Sequence, residues 1–180
     1  MDTRAFFDRV LPPTGGVYFA NHGTKGLRQL PPMESLDLLT QKVFEHGVKK
    51  ENVYFAVGVY QGSRTQEDAR DKKALYLDLD CGEGKPFPTK ASSVRALKQF
   101  CESSGFPLPN IVVDSGHGIH CYWTFERTVP IEQWNPMAAA FKQMCVDYEF
   151  HADPAITADS ARIMRVPGTY NYKEIGRAHV

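Results

Sequence analysis

The segment ALYLDLDCG, residues 74–82, sets two aspartates, Asp78 and Asp80, two positions apart in an otherwise apolar run. Side chains of a strand alternate between its faces, so Leu75, Leu77 and Leu79 point one way and Tyr76, Asp78 and Asp80 the other. The two carboxylates then share a face, roughly 7 Å apart at their Cα atoms. Like charges that close repel unless water or a cation separates them. A hard divalent cation, which takes carboxylate oxygens directly, answers that need; a strand edge whose aspartates simply face solvent is the plainer alternative.

A second group lies in IVVDSGHGIHCYWTF, residues 111–125. His120 heads one face of a strand, directly after a turn made of Ser115, Gly116, His117 and Gly118. The N–H groups of such a turn can cradle phosphate, and a neighbouring imidazole can donate to a phosphate oxygen. Equally, a hairpin histidine can do no more than hydrogen-bond its neighbours; His117, inside the turn, reads as a solvated turn residue. The third group is ADPAITADSARIMRVPGTYNYK, residues 152–173. It holds two acids, Asp153 and Asp159, and three cations, Arg162, Arg165 and Lys173. The cations suit phosphate groups or form a solvated basic edge.

The elements that must position these groups can be read from the pattern of the chain. GGVYFANHG (15–23) is a short strand bounded by glycines. Met33, Leu36, Leu39 and Val43 recur at helical spacing between Pro31-Pro32 and Gly47. NVYFAVGVY (52–60) is a β-branched and aromatic strand, and the polar stretch 61–73 reads as a surface loop. A helix over 91–104 buries Val94, Leu97 and Cys101 and stops at Gly105. Residues 110–126 form a hairpin, 131–148 a helix, and 150–173 a strand or two with loops; Asp153 ends the strand-like piece FHA. The expected class is α+β: a mixed, partly antiparallel sheet with helices packed on it.

With 180 residues, 42% hydrophobic and 23% charged, the chain is expected to be one globular domain, or one domain with a small extension, with the domain itself over residues 1–173. Twenty-one basic residues balance 21 acidic ones, which argues against holding nucleic acid by bulk charge but not against a local basic groove. Cys81, Cys101, Cys121 and Cys145 form no C-x-x-C pair, so neither a zinc ribbon nor a secreted disulfide framework is indicated. No apolar run is long enough to span a membrane and residues 1–9 read as too charged for a signal peptide; a cytoplasmic protein is expected. Back-translated, residues 174–180 read through a widely used short-read sequencing adapter. They are expected to be an adapter-encoded tail, with the natural frame continuing beyond Lys173.

Taken together and in order, D-x-D, then S-G-x-G-x-H, then an aspartate followed by R-x-x-R-x-P-G-T-x-N-x-K resemble the archaeo-eukaryotic primase superfamily. Within it the chain is most similar to the RepB-like and primase-polymerase proteins of plasmids and phages, over residues 53–173. The resemblance implies an RRM-like catalytic core and template-directed nucleotidyl transfer on DNA from nucleoside triphosphates, with Mg²⁺ or Mn²⁺, in a bacterial host cell. It implies that Asp78, Asp80 and a third acid hold the metal. Asp153 fits that acid, with Asp159 as the alternative. His120 then binds the incoming phosphates, with Ser115, Gly116, Gly118, Arg162, Arg165 and Lys173 around the nucleotide. A helicase domain or partner accompanies related proteins. Two rivals remain: a metal-dependent nuclease using the same acids with water as nucleophile, and a non-catalytic RRM-like nucleic-acid module.

Overall fold

The computed structural model describes residues 1–172; Lys173 and the 174–180 tail lie outside the described residues. In chain order the elements are α1 (Thr3–Val10), β1 (Ala20–Gly23), β2 (Arg28–Gln29), α2 (Leu36–Val48), β3 (Asn52–Ala56), β4 (Val59–Tyr60) and β5 (Ala69–Asp80). They continue with α3 (Lys90–Ser104), β6 (Ile111–Asp114), β7 (Gly118–Pro130), α4 (Ile131–Asp147), the short α5 (Pro154–Thr157) and β8 (Ile163–Arg165). The strands form two four-stranded sheets, ordered β4-β5-β7-β6 and β2-β1-β3-β8, whose ladders are antiparallel. The α+β class expected from the sequence is what the chain adopts, with its strands divided between two sheets.

Local chemistry fixes the helix ends. The hydroxyl of Ser35 accepts from Leu38 N at the start of α2, and Thr89 with Ser92 forms a capping box at the start of α3, each satisfying donors the helix leaves open. Gly105 ends α3 in the left-handed conformation, where glycine carries no Cβ penalty. Met33, Leu36, Leu39 and Val43 are buried as their spacing predicts. Val94, expected inside, is instead exposed on α3, and Phe100 takes the buried stripe with Leu97 and Cys101. The buried stripe runs through Ser93, Leu97, Phe100 and Cys101, which turns Val94 outward, and the Phe100 ring stacks on Phe150 at 4.6 Å between centroids.

The two faces of β5 meet different partners. Leu75, Leu77 and Leu79 pair with Trp123, Cys121 and Ile119 of β7 on the face covered by α3 and α4, where Phe141 packs edge-on against Trp123. The opposite face carries Tyr76 and Tyr122. Phe6 of α1 bridges it to the other sheet, 5.4 Å from the Tyr122 ring and 5.5 Å from Phe55 of β3. All four cysteines are free thiols. Among the described residues, no helix is long and apolar enough to cross a membrane.

The polar stretch 61–73 is not all loop: β5 begins at Ala69, and Lys72 within it is fully buried. Its ammonium donates to Val57 O, just beyond β3, and to Ser160 O, just before β8, at 2.5 Å each. It also lies 5.2 Å from the Tyr60 ring centroid and 5.4 Å from that of Trp134, within cation–π range. Gly58, at φ 147°, separates β3 from β4 where the lysine crosses; a Cβ there would come within 2.7 Å of Lys72 Cδ and Nζ.

Burial pushes the Lys72 ammonium down from 10.5 to about 7, against the opposing pull of Asp159. Between those values the unfolded chain holds a proton that the folded one has released, so this group adds stability as pH rises. In chemical denaturation, wild type should therefore gain on Lys72→Met between pH 7 and 10, at up to about 1.4 kcal/mol per pH unit. Parallel stability curves would show that the ammonium is not desolvated.

Candidate active site

Asp78 and Asp80 leave β5 on the face turned toward the second sheet. Across the ladder Asp78 opposes His120 and Asp80 opposes Gly118, and the next strand places Val113 beside His120. The Asp78 side chain is 16% exposed and that of Asp80 47%, so one carboxylate lines the floor and the other the rim. Burial first, and the charge of Asp80 second, push Asp78 up to about 7; Asp153 acts in the same sense, while Arg162 and Lys85 oppose it. Those four residues are the charged groups that the fold gathers around this carboxyl.

Asp153 arrives by a route other than the expected strand end. Phe150 and Ala152 are buried and anchor the chain after α4. Asp153 then opens the α5 turn, its Oδ1 accepting from Ala155 N at 2.9 Å, and its own N–H lies 3.4 Å from Asp78 O. Asp159 is placed elsewhere. Its Oδ1 accepts from Ala161 N at 2.9 Å and from Gln66 Nε2 at 3.0 Å, its carbonyl accepts from Tyr76 Oη, and its charge acts on Lys72, Tyr60 and Tyr76.

His120 is 5% exposed. Burial, then the charges of Arg165 and Arg162, push it down to about 3, so the imidazole is neutral. Its Nε2 lies 3.7 Å from Asp78 Oδ1, beyond hydrogen-bond range, and its buried Nδ1 has no partner. Arg162 likewise keeps a buried Nε without a partner. Arg165 differs: its terminal nitrogens bond Asn52 Oδ1, Tyr170 O and Tyr54 Oη, and its guanidinium lies 4.7 Å over the Tyr54 ring. It reaches the site as a charge while its donors tie β8 to β3.

The turn after β6 is tied to the end of β5, since Cys81 N donates to His117 O at 2.7 Å. Two of its N–H groups are used internally, Ser115 N by Gly118 O and Gly116 N by Asp114 Oδ1. Gly118 has a steric reason to be glycine: a Cβ would fall 2.1 Å from Leu79 O. Sequence reasoning passed over two lysines. Lys85 Nζ contacts Asp80 Oδ2 at 2.8 Å, returned to the aspartates by the turn through Gly82 and Gly84, whose φ angles are 130° and 71°. Lys90, at the start of α3, holds both oxygens of Asp114 at 2.6 and 2.8 Å. The Gly-x-Gly-Lys run directly after the aspartate strand was the available signal for Lys85.

The donor set fits a hard divalent cation. Asp78 and Asp80 offer carboxylate oxygens from one strand face. Asp153 is near enough for its charge to act on Asp78, but the three acids are not drawn together within 4.8 Å. The crowding shows as a raised pKa at Asp78 and a lysine on Asp80.

No protein-family model matches the chain. Solved structures with the same fold include the archaeo-eukaryotic primase domain (PP-N190) of the cyanophage S-2L primase-polymerase, with TM-score 0.63, 16% identity and 91% of this chain covered against 79% of that one. The catalytic domain of primase RepB′ in complex with initiator DNA aligns with TM-score 0.54 and 16% identity, over 91% of this chain and 74% of that one. A replication protein of Clostridium perfringens is 28% identical over 124 residues, 68% of this chain; the alignment spans 30% of that protein's length. The fold is thus that of the primase-polymerase catalytic core, as the ordered motifs imply.

The raised Asp78 has a consequence for stability. Above pH 3.8 the unfolded chain is ionised at this residue while the fold retains the proton up to about pH 7, so the group costs stability as pH rises through that window. Asp78→Asn should raise the melting temperature at pH 8 in chelator, by about 2–4 °C for each kcal/mol relieved, and leave it unchanged near pH 3.5. A lower melting temperature at pH 8 would mean that the carboxylate is better solvated than its burial indicates.

Proposed function

We propose that this chain is the catalytic domain of a replication primase or primase-polymerase of a plasmid or phage, joining nucleotides on a DNA template. The observation that carries the reading is the pair Asp78 and Asp80 on one face of β5, with His120 opposite Asp78 on β7 and the charges of Asp153 and Arg162 both bearing on Asp78. Asp78 and Asp80, with Asp153 as third ligand, would hold Mg²⁺ or Mn²⁺, which would neutralise the triphosphate and lower the pKa of the attacking 3′-hydroxyl. Asp78, at the floor, must give up its proton to serve as a ligand. Lys85 must release Asp80, which its half-exposed stem permits.

His120 and Arg162 hold the phosphates in this reading. Both carry a buried nitrogen without a partner, and a phosphate oxygen would satisfy the Arg162 Nε–H and, in the Nδ1–H tautomer, His120. A neutral imidazole with Nδ1–H donates without adding charge, while Arg162 and Arg165 provide the positive field that positions a polyanion for in-line attack. Lys173 is a further candidate on the same segment. Asp153 is favoured over Asp159 as third ligand because its charge bears on Asp78, whereas Asp159 is bound into the turn before β8. A helicase domain or partner belongs to the same proposal for the longer protein.

A primer-extension and de novo synthesis assay with Mg²⁺ and Mn²⁺ tests the activity: strands should lengthen only when nucleotides and metal are both present. Shortening of the DNA would identify a nuclease, and binding without either change a non-catalytic module. Asp78→Asn with Asp80→Asn should abolish addition while circular dichroism and DNA affinity persist.

The roles can be separated by single substitutions. His120→Ala should lower kcat/KM about tenfold or more, the worth of one hydrogen bond to a charged group, and His117→Ala should do far less. Asp153→Ala should remove activity and metal binding together, whereas Asp159→Ala keeps metal affinity and a measurable rate. The reverse pattern would exchange the two assignments.

A further inference from the structure

A second cluster of ligating groups lies on the other sheet and shares no residue with the carboxylate site. His22 stands on β1, His46 in the last turn of α2, and Glu51 just before β3. The ligating atoms of the three all lie within 4.8 Å of one another. Both imidazoles turn the same nitrogen to one oxygen: Nδ1 of His22 is 2.9 Å and Nδ1 of His46 2.5 Å from Glu51 Oε2. The two rings lie 3.8 Å apart at their centroids, tilted by 36°.

Three separate pieces of backbone produce this convergence. The β1–β3 ladder sets His22 opposite Val53, which makes Glu51 its diagonal neighbour. At the end of α2, Lys50 adopts φ 60°, and Glu51 N donates to His46 O at 3.2 Å. That left-handed step folds the glutamate back over the histidine. The side chains of His22, His46 and Glu51 are 17%, 12% and 24% exposed, sheltered yet reachable from outside.

We propose that His22 Nδ1, His46 Nδ1 and a carboxylate oxygen of Glu51 form a binding site for a borderline divalent metal, Zn²⁺ first, which pins the β1–β2 hairpin and the end of α2 to β3. Two imidazoles and one carboxylate are the donor set of zinc and its transition-metal neighbours, in contrast to the oxygen-only set around Asp78. Zinc–nitrogen bonds of about 2.0–2.1 Å in a tetrahedron separate ligand atoms by ~3.3 Å. The present 2.5 and 2.9 Å contacts reach that spacing by side-chain rotation of less than about 1 Å. A hollow of about 420 Å³ beside His22 and Glu51, which Lys25 and Arg28 also line, leaves the fourth position to water or, with those charges near, an anion.

The test uses the tag-free full chain, stripped with chelator and titrated with Co²⁺, whose visible absorption reports nitrogen ligation and is displaced by Zn²⁺. One equivalent should give that absorption in wild type and in the Asp78→Asn/Asp80→Asn double variant, with a raised melting temperature. It should vanish in His22→Ala/His46→Ala and weaken in Glu51→Gln. Should the double histidine variant fail to fold, His46→Gln with an unchanged circular dichroism spectrum serves instead. Absorption that is absent in wild type, that survives loss of the histidines, or that depends on the aspartate pair would overturn the proposal. Because the readout is metal binding rather than nucleotide addition, it stands or falls separately from the proposed activity.

Discussion

The Lys72 ammonium is the interaction on which the arrangement of the two sheets depends. It sits in β5 of one sheet and bonds the carbonyls of Val57 and Ser160, which flank β3 and β8 of the other. Those carbonyls mark where each segment leaves its ladder; without the lysine Val57 O would lose its donor and Ser160 O would keep only the Tyr60 hydroxyl, and an unpaired buried acceptor is costly. Tyr76 and Tyr60 reinforce the seam by donating to Asp159 O and Ser160 O. The same seam delivers Arg162 and Arg165 to the face of Asp78. Positioning of the site is therefore a product of how the sheets are joined.

Electrostatic tension is built into that face. A carboxyl held near neutral pH, a histidine held uncharged and two arginines on one side form an environment that favours bringing in both a cation and a polyanion. Each of the two arriving charges would stabilise the other, because the cation relieves the acids and the phosphates relieve the arginines. A site with either half alone would be poorly balanced. Lys85 and Lys90, salt-bridged to Asp80 and Asp114, offset part of the negative charge.

Much of this was legible in the sequence. Alternation in the 74–82 strand fixed the shared face of Asp78 and Asp80, glycine spacing marked the hairpin, and Gly105 marked the end of α3. What stayed hidden depended on long-range partners. Nothing local distinguishes Lys72 from the exposed charges around it, since its carbonyl acceptors lie 15 and 88 residues away. Asp153 reads as a strand end because Phe150 and Ala152 alternate with His151 as in a strand, yet Phe150 stacks on Phe100 and the aspartate opens a helical turn. The donors of Arg165 are spent on Tyr54 and Asn52, more than 110 residues earlier, which no local pattern could signal.

The strand order β2-β1-β3-β8 carries a consequence for synthesis on the ribosome. Three strands of that sheet are complete by Ala56, but the fourth, Ile163–Arg165, is made more than 100 residues later. Until it emerges, β3 presents an open edge with unpaired backbone groups, and the seam carbonyl of Ser160 does not yet exist. At about 5–20 residues per second that interval lasts several seconds or more, and such non-local closure is intrinsically slow. The nascent chain is therefore most exposed to edge-to-edge association between the completion of β3 and the arrival of β8, a window in which a chaperone that masks strand edges would have its largest effect on yield.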